Sequence, residues 1–445
     1  MARLNFSREV LSAATLPFIT AGIEGAIAGV FVRNAFEHVV SDDYLNALTT
    51  LVASSPALSN LSSPIWRRML RGTDRPRIAG MLLIFIMLSV VMVSTAQIST
   101  FGAVQVVVAV IFGRILWTGF ISARATTWQL NYPRESRGRI TGKLATVQTL
   151  TIAALGWTLG KALDYEQNAF RVLLPVGCVI GFVTVWTWLR MPVRQNAKLR
   201  RDERAIASNA DARRSLTIYQ ILKTDSAYRS YMMSQMMMGL GNLIMIAISP
   251  VMVKEVFHQS YSGGIAITNT LPLLMMPVSI PIWARLLDKG HVVAFRAVHS
   301  WVFVTSQTCM VLGYWFQEIS LIYAAAAFQG AGFGGGVLAW PLGHMDFAPP
   351  ERAADYLNVH VWLTGLRGLV APLIAFGVYN GLKSLPESEH VPSPVSLASS
   401  GVSFLCLLLV FSGAIGFVRM WRKGEYGQKH REEQPAREAR IRTGI

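Results

Sequence analysis

The chain is 445 residues long, 52% hydrophobic and only 15% charged, with a mean hydropathy of +0.40 and a formal net charge of +16. A soluble globular chain carries about 25% charged residues, so this composition points to a lipid bilayer as solvent and excludes an ordinary water-soluble domain. Cys178, Cys309 and Cys406 each stand alone in an apolar run, which excludes a disulfide framework or a CxxC-type metal site and leaves them as small packing residues.

A membrane-crossing helix needs about 20 mainly apolar residues, and twelve stretches meet that description. The first half supplies 10–33, 44–65, 77–97, 101–123, 141–163 and 169–189. The second supplies 231–255, 262–286, 292–315, 318–343, 355–380 and 398–420. Leu11 to Val32 is too long for the apolar core of a cleaved signal peptide and leads into further apolar runs, so it reads as a retained first span. The second span is unusually polar, with Ser54, Ser55, Ser59, Ser62 and Ser63 beside Pro56 and Pro64. The segment 190–229 between the halves is basic and too polar to span. It reads as a linker with a surface helix around Leu216 to Leu222. The tail after Trp421 mixes both signs of charge and reads as disordered or loosely helical. The expected organisation is therefore a first half at 1–189, a linker at 190–229, a second half at 230–421 and a tail at 422–445.

Lys and Arg bias assigns the sides. With both termini and the linker on one side, that side collects most of the 41 basic residues. The opposite turns carry Glu37, Asp42, Asp43, Asp164, Glu166, Glu318, Glu387 and Glu389. Both termini are expected in the cytoplasm, with a bacterial inner membrane as the setting. Topology then accounts for the net charge without nucleic acid.

Two stretches repeat. Pro64-Ile-Trp-Arg-Arg-Met-Leu70 returns 217 residues later as Pro281-Ile-Trp-Ala-Arg-Leu-Leu287 (281 − 64 = 217), and basic residues follow each copy. A looser echo relates Tyr132-Pro-Arg-Glu-Ser-Arg-Gly-Arg139 to Ala348-Pro-Pro-Glu-Arg352. The protein is two similar halves.

These residues resemble the major facilitator superfamily of secondary transporters, whose halves carry six helices each with a basic turn signature after the second and eighth spans. The resemblance covers all twelve spans. It implies an all-α polytopic fold, alternating access and a monomer. Trp283-Ala-Arg-Leu-Leu-Asp-Lys-Gly290 follows the family pattern, and the resemblance makes Asp288 the acid that braces a cytoplasmic gate. In the first copy Arg71 stands where that acid belongs, with Asp74 as a substitute. Arg68, Arg71, Asp74, Arg285, Asp288, Arg137 and Arg352 are the expected gate set. Gly156 and Gly160 in the fifth span lack the proline of the family's antiporter signature, so direction of transport is not legible.

Charge in the middle of a bilayer is costly and marks a pathway or proton relay. Glu24, Arg114 and Arg367 lie roughly 21, 15 and 18 Å from the inner ends of spans 1, 4 and 11 at 1.5 Å per residue. The resemblance places spans 1, 4, 7 and 10 around a central cavity, making Glu24 and Arg114 neighbours. Adding the repeat offset to Glu24 lands beside Asn242, and adding it to Arg114 lands near Gln329. The expectation is that Glu24 accepts a proton beside Arg114, whereas a fixed salt bridge is the structural alternative. Arg114, Arg367, Asn242 and Gln329 are the expected substrate-binding residues. His360, His344 and Asp346 are weaker candidates that suit gate hydrogen bonding, and Met232 to Met238 suits packing or a greasy ligand. No phosphate-binding loop, G-x-S-x-G, H-E-x-x-H or Rossmann glycine pattern occurs, so no enzyme chemistry, cofactor or metal is expected.

The expected function is proton-coupled transport of a small organic solute, anionic or amphipathic, in contact with membrane lipids. The rival is a transporter-like scaffold, or a lipid- or pigment-handling protein without solute turnover, supported by Arg71 and the long basic linker.

Overall fold

The computed structural model describes residues 2–132, 134–194, 196–208, 218–287, 290–348, 353–386 and 393–424. Every expected span is a helical passage. In the first half these are α1 (Ala2–Thr20) with α2 (Gly25–Ala35), α3 (Asp42–Leu58) with α4 (Ser63–Leu70), α5 (Arg75–Ser94), α6 (Thr100–Asn131), α7 (Arg134–Tyr165) and α8 (Phe170–Leu189). The linker holds α9 (Asn196–Ser208) and α10 (Ile218–Thr224). The second half follows with α11 (Ser226–Phe257), α12 (Tyr261–Ile265) with α13 (Leu271–Leu287), α14 (Val292–Trp315), α15 (Ile319–Leu342), α16 (Ala353–Lys383) and α17 (Pro394–Lys423). Short polar side chains start several of them: Ser99 accepts from the Gly102 N–H, and Asp225 from the Tyr228 N–H at 2.8 Å.

Among the described residues nine helical segments are long and apolar enough to cross a membrane. The second, fifth and ninth passages fall outside that set. The polar second passage solves its burial locally. The Ser54 hydroxyl donates to the Thr50 carbonyl at 2.8 Å, and Ser62 to Ser59 at 2.6 Å. Hydroxyls that bond back to the preceding turn satisfy their own donors, whereas the Thr49 and Ser55 hydroxyls of the same passage are buried without a partner among the described residues. This passage faces protein, packing on α16, α11, α2 and α6. The third and sixth passages instead present Leu88, Phe85, Val172 and Val179 outward, as a bilayer-facing surface requires.

The repeat survives as hydrogen bonding. Trp66 Nε1 donates to the Ile115 carbonyl at 2.8 Å, and Trp283 Nε1 to the Ala331 carbonyl at 2.7 Å. Each ties the second passage of its half to the fourth. The halves meet through α2, α3 and α7 on one side and α11, α12, α13 and α16 on the other.

At the end away from the termini, Glu255 on α11 gathers partners from both halves. Arg33 pairs with it at 3.2 Å, and Asn46 donates at 2.8 Å. Tyr379 and Lys383 donate to its other oxygen at 2.9 and 2.8 Å. Arg33 also approaches Asp42 at 3.4 Å, and Lys254 pairs with Glu37 at 3.2 Å.

At the termini end the linker docks on the turn between α4 and α5. The Glu203 carboxylate accepts from the Gly72 N–H at 2.6 Å and pairs with Arg75, which is buried. Arg204 Nε donates to the Gly72 carbonyl at 3.2 Å, and Asn196 to Asp74 at 3.1 Å. Gly72 sits at φ +66°, a conformation glycine adopts without steric cost. Glu203→Ala is expected to raise hydrogen exchange across α9 and cost about 1–3 kcal/mol, the penalty for stripping the carboxylate from buried Arg75. Unchanged exchange in α9 would show that the clamp contributes nothing.

Of the expected gate set, Arg68, Arg71 and Arg285 are exposed and make no ion pair among the described residues. Asp288 and Arg352 lie outside the described residues, as does the side chain of Arg137.

Candidate functional site

The first passage is broken where it carries its charge. Its 3₁₀ turn ends at Ile23, Glu24 is extended at φ −68° and ψ 119°, and α2 begins at Gly25. A break leaves backbone carbonyls without helical partners. Arg114 fills that gap: its Nε donates to the Ile23 carbonyl at 2.7 Å, and its Nη2 pairs with the Glu24 carboxylate. One guanidinium therefore holds the chain and the acid together. The Arg114 side chain is 5% exposed and that of Glu24 27%, so the acid is reachable while its partner is not.

Glu24 opens onto a cavity of about 190 Å³ between the halves. Ala53, Ser54 and Pro56 line its first-half wall, and Leu243, Asn269, Phe333 and Gly368 its second-half wall. Asn269 lies on a π-helical turn, Ala266–Thr270, that interrupts the eighth passage. Such turns shift side chains out of the regular helical register.

A larger cavity of about 530 Å³ adjoins it, sharing Leu243, Ile246 and Phe333. It lies inside the second half, walled by the seventh to eleventh passages. The first half packs as one apolar core but the second as two. The cavity sits where those two meet: Met238 and Phe303 belong to one, while Leu243 packs on the other. Arg367 Nη1 donates to the Gln235 carbonyl at 2.6 Å and Nη2 to the Thr364 hydroxyl at 2.7 Å. Gly239 makes room for it, since a Cβ there would fall 1.6 Å from the guanidinium. Gly239→Ala is expected to displace Arg367 and reduce solute binding at least as much as Arg367→Gln, which a binding titration of both variants would test. Arg296, buried on α14, lines the same cavity, with Nη1 3.4 Å from His299 Nδ1.

The structure brings Glu24 and Arg114 together and places Arg367 and Asn242 in the neighbouring cavity. Arg114 and Gln329, although buried, line neither of these two cavities. His360 is buried edge-on against Trp340, with 5.3 Å between ring centroids. Asp346 accepts from the Val292 N–H at 2.8 Å and so braces the start of the ninth passage. Burial pushes the neighbouring His344 imidazole down to about 4, which keeps it neutral near pH 7. Sequence reading passed over Arg296, counted only among the basic residues after the second repeat. It also passed over Glu255 and Glu203, which sit among charged neighbours at a span end and in the linker.

The major facilitator superfamily model matches residues 13–372. The chain belongs to that superfamily. A crystal structure of a D-xylose-proton symporter superposes with a TM-score of 0.70 at 13% identity, covering 96% of this chain and 98% of that one. A structure of the nucleoside transporter NupG gives 0.64 at 11% identity, covering 93% and 99%. A bacterial homologue of the human drug peptide transporters gives 0.65 at 11%, covering 95% and 99%. At these identities the superfamily likeness is one of fold. No curated protein sequence matches the chain. As a superfamily member the protein is an integral multi-pass membrane transporter.

Proposed function

We propose that the protein is a proton-coupled secondary transporter that moves a small organic anion by alternating access, with both termini in the cytoplasm. The observation that carries this reading is the Glu24–Arg114 pair at the break in the first passage, opening onto a cavity between the halves. The acid pairs with a buried arginine and partly contacts a cavity, and charge at that depth of a bilayer marks a pathway or proton relay. Protonation of Glu24 removes the charge that Arg114 opposes. The guanidinium then keeps its bond to the Ile23 carbonyl but loses its ion pair, so the broken segment changes its energetics with each proton.

Cargo binds in the adjoining cavity, where Arg367 supplies positive charge, Asn242 a polar side chain, and Phe303, Phe333 and Trp340 an apolar wall. The shared residues Leu243, Ile246 and Phe333 connect the proton site to the cargo site. The test is uptake of labelled organic anions into vesicles carrying the purified protein, with and without an imposed pH gradient. Accumulation that requires the gradient supports the reading. Equal uptake under both conditions would remove proton coupling, and uptake of neutral or cationic solutes alone would remove the anion.

A further inference from the structure

Among the described residues five arginines are buried: Arg33, Arg75, Arg114, Arg296 and Arg367. Burying a guanidinium away from water is costly unless an anion faces it. Three of the five meet that condition within the protein, since Arg33 faces Glu255, Arg75 faces Glu203 and Arg114 faces Glu24. Arg296 and Arg367 do not. Neither makes an ion pair among the described residues, and the cavity lining contains no carboxylate. The two uncompensated arginines share one cavity.

Their hydrogen bonding is also incomplete. Arg296 Nε and Arg367 Nε are buried without an acceptor. In the same cavity, Asn242 Oδ1 and Gln235 Oε1 are buried without a donor. Unpaired guanidinium nitrogens occur on the other three buried arginines too, so it is the missing counter-charge, beside two unpaired neutral acceptors, that describes the complement of a ligand. From the charge balance we infer that the transported solute is a dianion, with one acidic oxygen set on Arg296 and the other on Arg367. It also carries a hydroxyl or amide N–H for Asn242 and Gln235, and an apolar or aromatic body against Phe303 and Phe333. A dicarboxylate and a phosphate monoester both supply that charge. A cavity of about 530 Å³ falls within the usual range for small-molecule sites. This inference rests on reading that cavity as the cargo site.

Four benzene derivatives separate charge number from shape: neutral benzamide, the monoanion benzoate, and the dianions phthalate and phenyl phosphate. Binding of each to the full chain in detergent is measured by calorimetric titration near pH 7.5. At least one dianion is expected to bind about tenfold or more tighter than benzoate, as one additional charge-assisted contact gives. R296Q is expected to abolish that preference while leaving benzoate within about threefold, and R296K to keep most of it. Which dianion binds tighter distinguishes paired carboxylates from a single phosphate. Benzoate binding as tightly as both dianions, or weakened as much as they are by R296Q, would overturn the dianion while leaving an anionic cargo standing. Binding of benzamide alone, or of none of the four, would overturn the anionic cavity and the dianion with it. R296M supplies a second measurement, because removing an unpaired buried charge should leave the ligand-free melting temperature equal or higher. A clear fall would assign Arg296 a structural role and also overturn the proposal.

Discussion

Vesicles carrying Glu24→Gln are expected to exchange labelled solute across the membrane yet fail to concentrate it when a pH gradient is imposed. The amide keeps the size of the side chain and can still accept from Arg114, but it has no proton to take up or release. Concentrative uptake should fall at least about tenfold, since each tenfold of accumulation represents about 1.4 kcal/mol of coupled free energy. Solute-for-solute exchange should stay within a few-fold of wild type. Wild-type accumulation in this variant would remove Glu24 from the coupling step. Loss of exchange as well would make the ion pair with Arg114 a structural tie. Arg114→Gln provides the contrast: it orphans both the Ile23 carbonyl and the Glu24 carboxylate, so exchange and folded yield should fall together.

The second large effect is expected at the far end of α2, where Arg33 meets Glu255 of α11. Glu255→Ala removes one carboxylate that receives Arg33, Asn46, Tyr379 and Lys383. Breaking a buried pair by deleting one partner costs about 3–5 kcal/mol, because the other charge, here that of Arg33, remains buried. Here that cost falls on contacts between the halves. The variant should melt lower, and the end away from the termini should open more often. Spin labels at Tyr44 and Leu385, both exposed at that end and one on each side, would report a longer or broader distance distribution. An unchanged distribution together with a lowered melting temperature would place Glu255 in stability alone.

Most of the fold was legible because bilayer chemistry leaves few choices: a buried backbone must pair within its own helix, so apolar length reveals each passage. The serine-rich second passage was credible mainly because the repeat pairs it with the passage that ends at Pro281 to Leu287, since its own hydroxyls weakened the apolar signal. Glu24, Arg114 and Arg367 were legible for the opposite reason, as charges inside apolar runs. The bond from Arg114 to a backbone carbonyl was not, because sequence patterns carry side-chain character and a helix break exposes main chain. Arg296 escaped notice because a basic residue four positions into a span is explained by topology alone. The contact of Glu203 with Gly72 and Arg75, about 130 residues away, was not legible, because one carboxylate in a charge-dense linker gives no hint of its partner.

The first passage has a mechanical consequence. α2 is a straight strut of 11 residues, with the break at Glu24 at one end and Arg33 near the other. Nine residues separate the two, an arm of about 13 Å. A tilt of about 10° at the break would carry Arg33 some 2 Å, enough to take a 3.2 Å contact with Glu255 beyond hydrogen-bonding reach. The strut is thus a lever: a small change of angle at its pivot is delivered as displacement to the cluster of charged side chains at its far end.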